Sequence, residues 1–238
     1  MIRIETKFIL NNWQFEIFRQ RCQMMFKRDQ NLLPEINQYP IFSAYFDTPA
    51  LDAYHQKKDG EFSHHKIRIR SYSNKLISNL DSFIEAKLKS KDRQNKIRIP
   101  LKFNINLLQP KYWYTIQDPR IFQILYNNEG LQHVANIYYE REAYECDYME
   151  KGKIRVNFDS NICSLPKNIL VVTQSTIDTY RLMPENLIVC EIKTPGNNIP
   201  KFIQKELKLI RAEQVRISKY AETIDALYEN YRDNSIVY

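Results

Sequence analysis

The stretch His64-His65-Lys66-Ile67-Arg68-Ile69-Arg70-Ser71-Tyr72 alternates cations with isoleucines. A period of two is the mark of a β-strand, whose successive side chains leave opposite faces. Ile67 and Ile69 form one face; Lys66, Arg68 and Arg70, continued by Tyr72, form the other. The same split recurs along the chain. Arg3, Glu5 and Lys7 oppose Ile4 and Phe8; Glu85, Lys87 and Lys89 oppose Ile84, Ala86 and Leu88; Lys96 and Arg98 oppose Ile97 and Ile99. Further on, Lys153, Arg155, Asn157 and Asp159 oppose Ile154, Val156 and Phe158, and Glu191 and Lys193 oppose Ile188, Cys190 and Ile192. "YYEREAY" is less regular and puts Arg141 with Tyr139 and Ala143.

Alternation usually means a sheet with one face packed and one face wet. A wet face normally mixes its signs, because like charges on neighbouring strands repel. Here the charged faces, with Lys219 from the tail, hold fourteen cations against Glu5, Glu85, Asp159 and Glu191, a net +10 in a chain whose total is +7. A sheet that closes on itself, charged face inward and apolar face outward beneath helices, accounts for that bias. Such an interior is stable only around an anion or abundant water, since unpaired buried charge is costly.

Helices to cover the apolar faces are available. Residues 11–28 repeat apolar residues at helical spacing behind Asn11, and the tail reads as helices over 199–212 and 218–231. A short helix is expected before Gly60 and another behind Pro119. The remaining strands fall at "YPIFSAYFDTP", 136–147, 152–160, 169–173 and 187–194. The 238 residues read as one antiparallel, β-rich α+β domain covering 1–238. Four glycines are too few for a glycine-rich phosphate loop. Cys22, Cys146, Cys163 and Cys190 form no CxxC pair and read as buried thiols of a reducing compartment. The four histidines make no metal-ligand pattern. No apolar run approaches the roughly 18 residues of a spanning helix, so a cytoplasmic location is expected.

Clustered Lys and Arg suit phosphate oxygens, Arg as a fork and Lys as a point charge. No groove-entering motif for a duplex is present, and the inward faces carry too few aromatics, mainly Tyr72 and Tyr139, to stack a single strand. Oligophosphate or a nucleoside triphosphate fits better than a nucleic acid polymer. The carboxylates among the cations are either salt-bridge partners or ligands for Mg²⁺ or Mn²⁺. In "RISKY", Ser218 suits the N-cap of the last helix, and Lys219 puts a cation in its first turn, where an anion would be welcome.

In order, "IETKF", "AYFDTPALDAYHQKKDG", "HHKIRIRSY", "FIEAKLK", "KIRIPL", "YYEREAY", "KIRVNFDSNI", "VCEIK" and "RISKY" resemble the VTC domain. This is the catalytic domain of the vacuolar transporter chaperone polyphosphate polymerase, in the triphosphate tunnel metalloenzyme superfamily. The resemblance spans about residues 2–225. It implies a closed antiparallel eight-stranded β-tunnel with a basic lumen and helices outside. It also implies transfer of the γ-phosphoryl of ATP to a growing polyphosphate with Mn²⁺ or Mg²⁺. Carried over, the catalytic set is Lys66, Arg68, Arg70, Lys87, Arg98 and Lys193; the phosphate-binding set is Lys7, Arg141, Arg155, Ser218 and Lys219; the metal ligand is Glu191, with Glu5 and Glu85 beside it. Hydrolytic relatives open with Glu-x-Glu-x-Lys, where this chain has Arg3-x-Glu5-x-Lys7, which favours polymerase over triphosphatase. A catalytically silent polyphosphate-binding subunit is the third reading. The implied partners are ATP and polyphosphate, with a membrane protein encoded elsewhere if the product crosses a membrane.

Overall fold

The computed structural model describes residues 3–29, 37–61, 64–90, 93–148 and 152–234. The strands are β1 (Arg3–Asn11), β2 (Lys27–Arg28), β3 (Tyr39–Asp47), β4 (His64–Ser71), β5 (Asp81–Ser90), β6 (Arg93–Lys102), β7 (Gln132–Asp147), β8 (Lys153–Leu165), β9 (Leu187–Pro195) and β10 (Glu213–Val215). The helices are α1 (Asn12–Met25), α2 (Asp52–Lys58), α3 (Arg120–Tyr126), α4 (Gln174–Tyr180), α5 (Lys201–Leu209) and α6 (Lys219–Asn234), with two 3-10 turns at Ile105–Leu108 and Pro110–Thr115. This is the expected α+β class.

The strands form one ten-stranded sheet in the order β10-β1-β9-β8-β7-β3-β4-β5-β6, with β2 beside β7. Among the described residues no pairing joins β6 to β10, and the ten-stranded order does not confirm the closed eight-stranded ring expected from the sequence. β6 has the character of an edge. Lys96 and Arg98 are exposed on it, and Pro100 has no N–H to offer a ladder.

Two compact units can be described, each built from three stretches of chain. Unit 1 comprises Met1–Pro40, Tyr139–Ile162 and Met183–Ile217. Its ladders put Lys7 opposite Glu191, Glu5 opposite Lys193, Arg155 opposite Lys193 and Asn157 opposite Glu191. The other parity (Phe8, Leu10, Ile154, Val156, Phe158, Cys190, Ile192) is buried against Phe18 and Cys22 of α1 and Ile203 and Leu207 of α5. α1 starts where the sequence places its cap. The Asn11 carboxamide accepts from the Gln14 N–H, and the Gln14 side chain accepts from the Asn11 N–H, both at 2.9 Å.

Unit 2 comprises Ile41–Tyr138, Cys163–Leu182 and Ser218–Tyr238. Its apolar parity, Ile67, Ile69, Ile84, Ala86, Ile97 and Ile99, packs with Trp113, Ile121 and Ile124 of the helical stretch after β6. Trp113 is fully buried and donates its indole N–H to the Leu107 carbonyl at 2.7 Å, which lets so large a polar-tipped ring serve as core. In both units, therefore, the apolar parity lies under helices, as the sequence predicts.

Some expectations change. Residues 169–173 form no strand; Val171 makes one isolated bridge to Lys75. α4, β2 and β10 were not foreseen. The side chains of Arg3 and Lys89 lie outside the described residues, as do the last four residues of the tail. Among the described residues no helix is long and apolar enough to cross a membrane.

Candidate functional site

The charged parity is buried. Arg70, Glu85, Arg141, Asp159, Glu191 and Lys219 are all under 9% exposed, the reverse of what a wet sheet face would show. Glu5, Lys96, Arg98 and Lys153 of the same parity are exposed, Lys153 pairing with Glu145 at 2.7 Å.

In unit 1 the functional side chains gather on β1, β7, β8 and β9. Glu191 is the hub, with Lys7 Nζ at 3.6 Å, Lys193 Nζ at 3.5 Å and Arg141 Nη2 at 3.4 Å. Glu5 touches Lys7 at 3.4 Å and Lys193 at 3.7 Å. Arg141 is fixed from behind by Asp159, which accepts two N–H bonds at 2.6 Å, and its guanidinium lies over the Tyr139 ring. Lys7 also donates to the Ile217 carbonyl at 2.9 Å. Arg155 donates to Asn157 Oδ1 at 3.0 Å and pairs with Asp29 and Tyr39. Burial pushes the Lys193 ammonium below its ordinary value, although Glu191 and Glu5 pull it up. For Arg141, burial is outweighed by Asp159, which holds the guanidinium firmly charged.

Unit 2 assembles its side chains across β3, β4, β5 and β6. Register places Tyr45, Arg68, Glu85 and Arg98 in one row and Lys66, Lys87 and Lys96 in the next. Glu85 is the hub here, with Arg68 at 2.6 Å, Lys96 at 3.4 Å, Arg98 at 3.6 Å and Arg70 at 3.8 Å. Burial alone would raise the Glu85 carboxyl, but Arg68 and Arg70 hold it well below the usual carboxylate range. Arg70 donates to Ser43 Oγ at 3.2 Å. Arg98 lies 3.8 Å over the Phe83 ring and donates to the Tyr72 hydroxyl at 3.2 Å. Lys66 Nζ donates to Ser218 Oγ at 3.0 Å, and the same oxygen accepts from the Ala221 N–H at the start of α6. Ser218 thus caps α6 and orients Lys66. Ser218→Ala is expected to cost about 1 kcal/mol of stability, read by chemical denaturation, because it removes both bonds.

The sequence-predicted residues divide between the units, with Glu5, Lys7, Arg141, Arg155, Glu191 and Lys193 in unit 1, and Lys66, Arg68, Arg70, Glu85, Lys87, Arg98, Ser218 and Lys219 in unit 2. Three neighbours carry no signal in the sequence: Tyr45, Asp29 and Tyr220. Tyr45 hides in a strand without alternating charge, and only pairing β3 with β4 brings it opposite Arg68.

Among the described residues no group of three His, Cys, Asp or Glu is arranged to hold a metal ion. Glu5 and Glu191, which share the contacts of Lys7 and Lys193, are a two-carboxylate donor set. That suits Mg²⁺ or Mn²⁺, which takes one or two protein carboxylates and fills its remaining positions with water and phosphate oxygens. Glu85 is already engaged by four cations.

The fold is shared with a solved candidate adenylate cyclase from Bacillus halodurans, at a TM-score of 0.53 and 15% identity over 91% of this chain and 94% of that one. A candidate adenylate cyclase from Vibrio parahaemolyticus superposes at a TM-score of 0.48 with 10% identity, covering 94% and 98%. Among curated proteins no match is found. With its basic, buried sheet faces, the protein is of the triphosphate tunnel class. Within that class the chain belongs to the VTC domain family, whose model matches residues 2–228.

Proposed function

We propose that the protein is an ATP-dependent polyphosphate polymerase that transfers the γ-phosphoryl group of ATP to a growing polyphosphate, with Mn²⁺ or Mg²⁺. The observation that carries this reading is the cation excess of unit 2, where Lys66, Arg68, Arg70, Lys87, Lys96 and Arg98 gather around Glu85, beside a unit 1 cluster in which Lys7, Arg141, Arg155 and Lys193 meet Glu5, Asp29, Asp159 and Glu191. Buried excess charge of one sign is favourable when an anion supplies the balance.

Phosphoryl transfer needs positioning and charge neutralisation more than covalent chemistry from the protein. In unit 1, Glu191 and Glu5 would hold the divalent ion, while Lys7, Arg141, Arg155 and Lys193 take phosphate oxygens. When bound, the ion would add charge neutralisation at the transferring phosphoryl. In unit 2, Arg68 and Arg70 offer guanidinium charge and N–H donors and Lys66 and Lys87 point charges, with Ser218 and Lys219 beside Lys66 at the start of α6. Arg98 completes the row at the exposed edge. Glu85 serves this group by holding the guanidinium groups in place.

Polymerase is preferred over triphosphatase because Arg3 replaces the first carboxylate of the hydrolytic pattern. A terminal phosphate is largely ionised near neutrality and attacks with little help, whereas water needs a base to orient it. ATP and polyphosphate are the proposed partners, rather than a nucleic acid polymer. If the product crosses a membrane, a separate membrane protein would carry it. The four thiols, none in a disulfide, support a reducing cytoplasmic setting.

Incubation with ATP and Mn²⁺ is expected to yield long-chain polyphosphate on a gel. Release of free phosphate alone would make the protein a triphosphatase. Tight polyphosphate binding without turnover would make it a binding subunit.

A further inference from the structure

Tyr45 is buried, 6% exposed, in the row that also holds Arg68 and Glu85. Its hydroxyl oxygen accepts from Arg68 Nη1 at 2.9 Å. Its ring stacks on Tyr220 of α6, with centroids 5.2 Å apart and planes 13° from parallel. The Tyr220 hydroxyl in turn donates to Asp47. These contacts fix the phenol but spend only its acceptor side. A buried tyrosine O–H ordinarily finds an acceptor, and among the described residues this one has none. Its charged neighbours on β4 are Lys66, Arg68 and Arg70, and neither ammonium nor guanidinium can accept a hydrogen bond. Of the nearby carboxylates, Asp47 takes the Tyr220 proton and Glu85 takes the Arg68 fork. From α6, besides Tyr220, the buried Lys219 precedes it in the first turn.

We propose that Tyr45 is a phosphate ligand of unit 2, donating its O–H to a phosphate oxygen, and that phosphate binding at alkaline pH returns a proton to the phenol. This rests on the triphosphate reading above. An incoming phosphate oxygen is the acceptor that the cationic neighbours lack. Without it, the cations around the phenol favour its ionised form as pH rises. Burial pushes the phenol up, but Arg68, Arg70 and Lys66 outweigh burial and bring it down to about 8. A bound polyanion reverses that balance, so the tyrosinate takes one proton from solvent and becomes a donor.

The test uses the full chain, metal-free, with sodium tripolyphosphate as probe, and compares the wild type with Tyr45→Phe, which keeps the ring stacked on Tyr220. Calorimetry in two buffers of different ionisation heat should show roughly one more proton taken up by the wild type than by the variant near pH 9, and no difference near pH 6. The variant should bind about tenfold more weakly near pH 7, with the gap narrowing above pH 8. A wild-type tyrosinate absorbance band that appears near pH 8 should disappear when tripolyphosphate is added, a readout that needs no variant. Equal proton uptake and equal affinity in the two proteins overturns the role of Tyr45 and leaves the triphosphate reading standing. Failure of the wild type to bind tripolyphosphate at any pH overturns both.

Discussion

Glu191→Gln is expected to reduce polyphosphate synthesis by at least about a hundredfold while polyphosphate still binds. Glutamine keeps the length and shape of the side chain and removes one negative charge from a spot where Lys7, Lys193 and Arg141 all lie within 3.6 Å. The cluster then becomes more positive, so its attraction for a polyanion persists. The variant lacks an ionised oxygen for a divalent ion, and with it the charge neutralisation that phosphoryl transfer depends on. Arg141 stays in place, because Asp159 holds it independently at 2.6 Å. A pH signature accompanies the loss. Lys193 is already pushed down by burial, and Glu191 is first among the charges that pull it up. Removing Glu191 lets Lys193 lose its proton at a lower pH, so polyphosphate binding by the variant should fall earlier on the alkaline side. Gel analysis of product and calorimetry of polyphosphate binding check the two halves separately. Synthesis at the wild-type rate would remove Glu191 from the metal site.

What could be read from the sequence is what alternates. On β4, β5, β6, β8 and β9 the parity of each side chain announces its face, because the two faces differ in charge. The helix starts at Asn11 and Ser218 are legible for a similar reason: each is a side-chain acceptor placed just ahead of an apolar repeat. β3 defeats this reading, since Tyr39–Asp47 shows no alternation of charge with apolar residues and is half-buried or buried throughout. β2 and β10, two and three residues long, exist through their partner strands rather than through any propensity of their own. The run Ile169–Val172 has strand composition, yet Ile169, Leu170 and Val172 are used as anchors against the unit 2 core. α4 was missed because its capping box pairs Thr173 with Thr176, without the Glu or Gln that usually signals one. In the site, composition reveals the cations but not their counter-charges. Only the register of β4, β5 and β6 reveals that Glu85 serves four cations at once.

That sharing makes Glu85→Gln the substitution with the largest expected effect on stability, a loss of about 3 kcal/mol. Glu85 is 2% exposed, and Arg68 and Arg70 beside it are largely buried as well, so their charges are poorly screened. Lys96 and Arg98 are substantially exposed and contribute less, since water and salt weaken their pull. Glutamine removes the charge that Arg68 and Arg70 share, and the loss of that compensation in a buried site is where most of the cost arises. The acid limb gives an independent check. The folded carboxyl lies well below its unfolded value of about 4.3, so its stabilisation is complete above that pH and drains away as pH falls towards the folded value. Wild-type stability should therefore climb with pH across the acid range, and the variant should climb less steeply. Tripolyphosphate supplies the missing negative charge, so it should restore the variant by more than it stabilises the wild type at equal concentration. Equal stability of the two proteins near pH 7, with parallel acid limbs, would show that the four cations do not depend on Glu85.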